Sequence, residues 1–307
     1  MSVVATEDRP SLELDRSPMF SRETLRRTES LASGCQTGRN HDHGYMVPDI
    51  VRNKVPGPDA RQTEPPAAEP VVRTASAEEM EWIAEQSRRL EGRRPEDILA
   101  WAVERYFPRF TMATGLGPEG CVIIAMLAKI EPRVYIFNLD TGYQFRETLE
   151  LRDRMNEKYG IHVDLQRPEL SVVDYERLHG GPVYTHDSDR CCHDRKIAVL
   201  HRVAVGYDAW ATGIRRDQGP TRTDTPIVKW DKKFGLVKIS PLACWTKKDV
   251  WKRILDEQVP YNPLHDQNYP SIGCQPCTRA VQPGEDERAG RWSGSTKTEC
   301  GLHTGKD

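Results

Sequence analysis

From residue 76 onwards, hydrophobic and polar positions follow first a helical period and then an alternation of helix and strand patterns. Ser76 is followed three residues later by Glu79, a capping box that predicts the start of a helix. A second helix is predicted from Pro95, and its apolar face carries Ile98, Leu99, Ala102, Val103 and Tyr106. These two helices mark where a folded domain begins.

Short apolar runs then alternate with longer amphipathic stretches. Strands are predicted at 110–113, 134–139, 162–165, 208–211, 226–230 and 236–239. Helices are predicted at 119–130, 144–159 and 191–205, and a last one is capped at Thr246 and ends before Pro260. This alternation predicts an α/β fold with a doubly wound, mostly parallel sheet and helices on both faces.

The two ends of the chain lack such a period. Residues 1–73 are rich in Pro, Arg, Glu, Ser and Thr, and we expect a disordered extension in which Cys35 has no role. Residues 74–280 form the predicted α/β domain. Residues 281–307 are predicted to be a flexible tail that takes part in catalysis.

Composition narrows the classes of partner. The chain has 307 residues and a net charge of −2, which argues against a general binder of nucleic acid or of anionic membranes. It shows no apolar run approaching ~18 residues and no signal-peptide pattern at its start. We therefore expect a soluble, cytoplasmic protein. A homo-oligomer is compatible with this expectation.

Glycines and small polar residues follow the first two predicted core strands. Gly115 and Gly117 precede a helix, where backbone N–H groups can approach a phosphate. Asp140, Thr141 and Gly142 follow the next strand. An ordinary tight turn would also collect glycine, but two such loops at neighbouring strands favour a nucleotide site.

Arginines follow a third predicted strand. Arg215 and Arg216 follow it after Thr212, Gly213 and Ile214, and Arg222 is close by. A solvated loop is the simple interpretation of such a charge run, whereas the functional one is that guanidinium groups bind phosphate in a bidentate manner.

Four of the eight cysteines form two pairs. The pairs, Cys191 with Cys192 and Cys274 with Cys277, could be core residues, but a tetrahedral zinc or a 4Fe–4S cluster explains them better. Spacing alone slightly favours zinc. Cys300 stands apart as a candidate nucleophile.

The remaining two cysteines of the domain have no such pattern. Cys121 lies on an apolar helix, and Cys244 lies beside Pro241 and Trp245. We expect both to be core residues.

Taken together, these motifs resemble the assimilatory adenylyl-sulfate reductases of the PAPS/APS reductase family. The resemblance covers roughly residues 95–307 and is carried by segments 191–196, 260–266, 269–279, 284–291 and 299–303. It implies a sheet of the adenine nucleotide alpha hydrolase-like kind. It also implies a [4Fe–4S] cluster on the four paired cysteines, which reverses the slight preference for zinc.

The resemblance also implies the chemistry. The family reduces adenosine 5′-phosphosulfate (APS) to sulfite and AMP in sulfate assimilation, the route to cysteine. Cys300 would be the catalytic nucleophile and carry a cysteine S-sulfonate. The positions that would line the phosphosulfate site are Lys196, Arg215, Arg288, Arg291 and His303. Because the CxxC is assigned to the cluster and no thioredoxin-like domain follows, thioredoxin or a similar dithiol protein is expected to supply electrons.

The first loop departs from the family pattern, Ser-x-Gly-Ala-Glu-Asp. Here Gly115 replaces the Ser and Gly120 replaces the Asp, so two side-chain contacts near the nucleotide are expected to be lost. This departure bears on substrate affinity and specificity.

Rival functions remain open from the sequence. A reductase of the 3′-phosphorylated substrate (PAPS), or one that accepts both substrates, would share most of these motifs. An ATP-pyrophosphatase-type adenylating enzyme would share the sheet but normally has an acidic residue where Gly120 stands. A zinc-stapled binding module would use the four thiols without the chemistry of Cys300.

Overall fold

The computed structural model describes residues 72–292, residue 297 and residues 301–302. The expected extension, residues 1–73 with Cys35, therefore lies almost wholly outside the described residues. Cys300 and His303 also lie outside them. Within the described part, no helix is long and apolar enough to cross a membrane.

Six strands form one sheet. The strands are β1 (Phe110–Thr114), β2 (Tyr135–Leu139), β3 (Val163–Gln166), β4 (Ala209–Ala211), β5 (Val228–Asp231) and β6 (Leu236–Ile239). Their spatial order is β3-β2-β1-β4-β6-β5, and every neighbouring pair is parallel except β5 with β6. The order reverses between β1 and β4, which opens a crevice at their carboxyl ends.

Helices cover both faces of the sheet. They are α1 (Ala77–Leu90), α2 (Pro95–Tyr106), α3 (Pro118–Ile130), α4 (Arg146–Tyr159), α5 (Val172–His179), α6 (Ser188–Cys192), α7 (Ala198–Ala204) and α8 (Lys247–Asp256). Predicted capping groups are in place, since the hydroxyls of Ser76 and Thr246 accept hydrogen bonds from the backbone N–H groups of Glu79 and Asp249. The predicted fold class is confirmed.

Successive residues of the strands point into two separate cores. Met112 and Ile136 pack with the helices α1 to α4 and α8 on one face. Phe137, Leu139 and Trp210 pack with α7 on the other. Both faces are buried because a parallel sheet is covered by its crossover helices.

Two helix predictions were inaccurate. The single helix expected at 191–205 begins earlier, at Ser188, and a π-helical turn, His193–Ile197, interrupts it. Helix α5 was missed because two of its large apolar residues, Val173 and Leu178, are exposed, so it shows no clear apolar face.

Candidate active site at the carboxyl ends of the strands

A cavity of about 260 Å³ opens at the crevice between β1 and β4. Gly115 and Gly117 line it from the loop after β1, and Thr212 and Gly213 line it from the loop after β4. Gly213 is tightly placed, because a Cβ atom there would lie 2.8 Å from the Cβ of Glu119. The nucleotide loop predicted from Gly115 and Gly117 therefore borders a real cavity, which we call the main cavity.

The turn before α3 is held by Thr114. Its Oγ1 accepts a hydrogen bond from the backbone N–H of Leu116 at 2.9 Å, and Leu116 itself has a φ of 56°. The helix then begins at Pro118. Its N-terminal end therefore faces the cavity region with the partial positive charge that favours a bound anion.

Four cationic side chains also line the main cavity. Lys196, Arg222, Arg288 and Arg291 all line it. The Nη1 atom of Arg291 donates to the hydroxyl of Ser271 at 3.2 Å and to the carbonyl of Ile272 at 3.3 Å. Three of the predicted phosphosulfate contacts, Lys196, Arg288 and Arg291, are thus brought together.

Arg215 lies beside the main cavity, not in its lining. It is buried, and its guanidinium forms ion pairs with Glu119 and, at 2.9 Å, with Asp217. It lines a neighbouring cavity of about 470 Å³ together with Arg288. Its predicted contact with substrate stays a prediction, and the structure shows that two carboxylates already bind this cation.

The second predicted loop, residues 140–142, lies near the paired cysteines and does not line the main cavity. Asp140 is buried and accepts hydrogen bonds from the Nε of Arg167 at 2.8 Å and from the N–H of Gly142 at 2.9 Å. The hydroxyl of Thr141 lies 3.2 Å from the Sγ of Cys274. Asp140, Thr141 and Gly142 are absent from the described lining of the main cavity, and Thr141 instead borders the cysteines.

All four paired cysteines line one small cavity of about 20 Å³, which we call the cysteine cavity. Burial, together with the neighbouring Cys192, Cys274 and Cys277, raises the pKa of the Cys191 thiol to about 12. Among the described residues, no group of three or more His, Cys, Asp or Glu side chains is arranged to bind a metal ion. The four thiols nevertheless line the same cavity.

Two cationic side chains line both the main cavity and the cysteine cavity. They are Lys196 and Arg291, and Cys274 also lines both cavities. The pKa of Cys277 is raised by burial and by the nearby thiols, and Lys196 and Arg291 partly oppose that shift. The chemistry of a four-thiol donor set beside cations suits a cluster that carries net negative charge.

Arg195 is a buried link in this region that the sequence interpretation missed. It is 3% exposed, and its Nε donates to the carbonyl of Thr141 at 2.6 Å. Its guanidinium also lies over the rings of Tyr143 and Tyr175, at 5.4 and 5.0 Å. This arginine joins the segment with Cys191 and Cys192 to the loop after β2, and its position three residues after Cys192 was the available signal.

Cys244 does not lie in the core, contrary to prediction, whereas Cys121 is fully buried as predicted. The Cys244 Sγ donates to the carboxylate of Glu91 at 3.2 Å and accepts from Arg216 at 3.5 Å. The side chain is exposed because the chain reaches the surface after the buried Leu242 and Ala243, beside Glu91 at the end of α1.

The described tail residues lie against the main cavity. Lys233 Nζ donates to the carbonyl of Gly301 at 2.7 Å, and Leu302 lines the cavity. A Cβ atom at Gly301 would lie 2.8 Å from the Cδ1 of Ile197. Gly301 is bonded to Cys300 in the sequence, although Cys300 and His303 themselves lie outside the described residues.

The sheet order, the crevice between β1 and β4 and the glycine loop define an α/β protein of the adenine nucleotide alpha hydrolase-like class. Residues 109–280 match the family model for the phosphoadenosine phosphosulfate reductase domain. The chain belongs to this family, as the motifs around its cysteines predicted.

Several relatives support this assignment. An adenosine 5′-phosphosulfate reductase of Halalkalibacterium halodurans is 44% identical over 222 residues, which cover 72% of this chain and 96% of that protein. A phosphoadenosine 5′-phosphosulfate reductase of Gloeobacter violaceus is 43% identical over 220 residues, covering 71% of this chain and 91% of that protein.

A solved structure shares the fold. The crystal structure of phosphoadenylyl-sulfate (PAPS) reductase from Candida auris, in a phosphate complex, is 27% identical. It superimposes with a TM-score of 0.59, covering 68% of this chain and 100% of that one.

Proposed function

We propose that this protein reduces adenosine 5′-phosphosulfate to sulfite and AMP in sulfate assimilation. The observation that carries the proposal is the main cavity, which is lined both by a glycine loop at a helix N-terminus and by Lys196, Arg288 and Arg291. Such an arrangement suits a nucleotide whose phosphate is joined to sulfate in a mixed anhydride, because the cations would neutralise both anionic groups. The names of the relatives point to the same class of substrate.

In the proposed reaction, the Cys300 thiolate attacks the sulfur of the phosphosulfate. The new S–S bond forms while the bond between sulfur and the phosphate oxygen breaks, so AMP leaves and an S-sulfonate remains on Cys300. Lys196, Arg288 and Arg291 stabilise the charge that develops on the leaving phosphate. The position of Leu302 in the cavity lining supports this role, since it lies two residues from Cys300.

A dithiol protein such as thioredoxin completes the cycle. One of its thiols attacks the Cys300 sulfur, which releases sulfite and leaves a mixed disulfide, and its second thiol resolves that bond. The two electrons come from the dithiol, which becomes a disulfide, and the Cys300 thiol is restored. The CxxC of this chain borders the cysteine cavity and is therefore assigned another role.

We further propose that Cys191, Cys192, Cys274 and Cys277 hold a [4Fe–4S] cluster. The fit rests on the donor set, since four thiols line one cavity with Lys196 and Arg291 beside them. When bound, the cluster supplies negative charge and a rigid link between α6 and the CxxC segment. Lys196 and Arg291, which border both cavities, hold the substrate anion.

The 3′-phosphorylated nucleotide, PAPS, is the alternative substrate. One of the similar proteins is a PAPS reductase by name, and others are APS reductases. The two cysteine pairs favour APS, because the resemblance links them with enzymes that act on it. A cytoplasmic location fits sulfate assimilation and belongs to the same proposal.

The deciding experiment incubates the purified enzyme with APS or PAPS and reduced thioredoxin, without ATP. We expect sulfite and AMP from APS. The Cys300→Ser variant should form neither product nor an S-sulfonated protein. An S-sulfonate on that variant would contradict the assignment of the nucleophile, and a requirement for ATP would favour an adenylating enzyme.

A further inference from the structure

The indole ring of Trp292 contacts three cations around the two cavities. The guanidinium of Arg291 lies 4.4 Å from the ring centroid, that of Arg288 lies 5.8 Å away, and the Nζ of Lys297 lies 5.4 Å away. Trp292 is 5% exposed, so these contacts are largely shielded from water. Cations bind most strongly to the face of an indole when the contact is desolvated.

The backbone of Trp292 is tied to the CxxC segment. Its N–H donates to the carbonyl of Cys277 at 2.9 Å, and the preceding Arg291 forms an antiparallel bridge with Thr278. Trp292 has a φ of 50°, in the left-handed region that non-glycine residues rarely adopt. Surrounding contacts must maintain this conformation, which turns the indole toward the cysteine cavity that it lines.

The same segment directs two arginines to the substrate cavity. Arg288 and Arg291 line the main cavity, and Arg291 also lines the cysteine cavity. Gly273 makes room for Arg291, because a Cβ atom at this position would overlap the guanidinium. Lys297, which also contacts the indole, pairs with Asp189 at 2.7 Å, on the helix that carries Cys191 and Cys192.

We propose that Trp292 is a positioning residue for the reaction, which holds the Arg291 guanidinium where the phosphosulfate binds. Trp292 acts through Arg291 and does not itself touch the reacting atoms. Its backbone bond to Cys277 sets the arginine position relative to the cysteine cavity. The inference rests on the proposed function, because it assigns Arg291 to the binding of the nucleotide sulfate.

The test compares Trp292→Leu, Trp292→Phe and Trp245→Leu. Trp245 is a matched control, since Arg253 lies over its ring at 5.4 Å and neither residue lines the main cavity. In a Cys300→Ser background, we expect Trp292→Leu to weaken APS binding about tenfold, and Trp292→Phe to restore most of the affinity. The Trp245→Leu protein should bind APS as tightly as its parent.

A double-mutant cycle with Arg291→Ala separates positioning from general damage. If Trp292 acts through Arg291, adding Trp292→Leu to Arg291→Ala should weaken APS binding by less than twofold further. The affinities are compared between preparations of equal iron content and equal melting temperature. Additive losses, or unchanged affinity in Trp292→Leu, would overturn the inference.

Failure of the proposed function has a different signature. A parent enzyme that turns over neither APS nor PAPS would overturn the function and this inference together. If the parent enzyme reduces PAPS but not APS, the same double-mutant cycle is measured with PAPS as the ligand. An active parent with a normal Trp292→Leu variant would remove only the role of Trp292.

Discussion

At the scale of single residues, the first loop shows how a departure from a family pattern is accommodated. Gly120 stands where the family has Asp, and a Cβ atom at this position would lie 2.5 Å from the Oγ1 of Thr114. That hydroxyl in turn holds the turn through Leu116. Gly115, which stands where the family has Ser, has no heavy atom within 4 Å of a Cβ added there. A side chain at position 120 would therefore clash with Thr114, whereas position 115 has room for one.

This difference gives a stability prediction. We expect Gly120→Asp to lower the free energy of unfolding by about 1–3 kcal/mol, because the new side chain overpacks against Thr114. Gly115→Ser is the matched control and should change it by no more than ~0.5 kcal/mol. Chemical denaturation measures both. Combining Gly120→Asp with Thr114→Ala should recover part of the loss, and no recovery would contradict the steric explanation.

At the scale of elements, the antiparallel pair β5 and β6 carries a buried lysine. Lys238 on β6 is 2% exposed and lies directly opposite Lys229 of β5. Its Nζ pairs with Asp231 at 3.3 Å and lies 4.9 Å from the ring centroid of Trp210, which lines the main cavity. Burial lowers the pKa of Lys238 to about 8, although Asp231 opposes the shift.

A pH dependence follows from this lysine. Between about pH 8 and about pH 10.5, the unfolded chain binds this proton more than the folded protein does, so the contribution of Lys238 to stability rises with pH. The free energy of unfolding of the wild type relative to Lys238→Met should therefore increase across this range. Denaturation at several pH values tests it. A difference that stays flat would show that Lys238 is not titrating in this range.

At the scale of the whole molecule, the site is assembled from segments that are far apart in the chain. The main cavity and the cysteine cavity share Lys196 from the π-helical turn, Cys274 and Arg291. Arg195 adds a link from that turn to the loop after β2. A bound cluster would connect the same segments, so its loss should affect both stability and substrate binding.

The proposed cluster gives a paired test with cysteine variants. Cys274→Ser should retain clearly less iron than the wild type and melt several degrees lower, because a group bound only by the native state stabilises it. Cys244→Ser is the control, since that thiol lies outside the described lining of the cysteine cavity and contacts Glu91. Iron analysis measures the first effect and calorimetry the second. Full iron in Cys274→Ser would argue against the proposed ligand set.

Local signals in the sequence determined the order of most helices and strands, and the family followed from motifs in the chain. Capping residues such as Ser76 and Thr246 and the apolar periods act over one or two turns, so they can be recognised without a fold. The sequence also predicted that the two cysteine pairs lie together and that Lys196, Arg288 and Arg291 line one site. These residues lie in the short motifs on which the family resemblance rests.

Only the tertiary structure decided which neighbours those residues have. It pairs Arg215 with Glu119, places Thr141 beside Cys274, and exposes Cys244 next to Glu91. These contacts join parts of the chain that are separated by many residues. They depend on how the sheet and its helices pack, and no short pattern in the sequence encodes that packing.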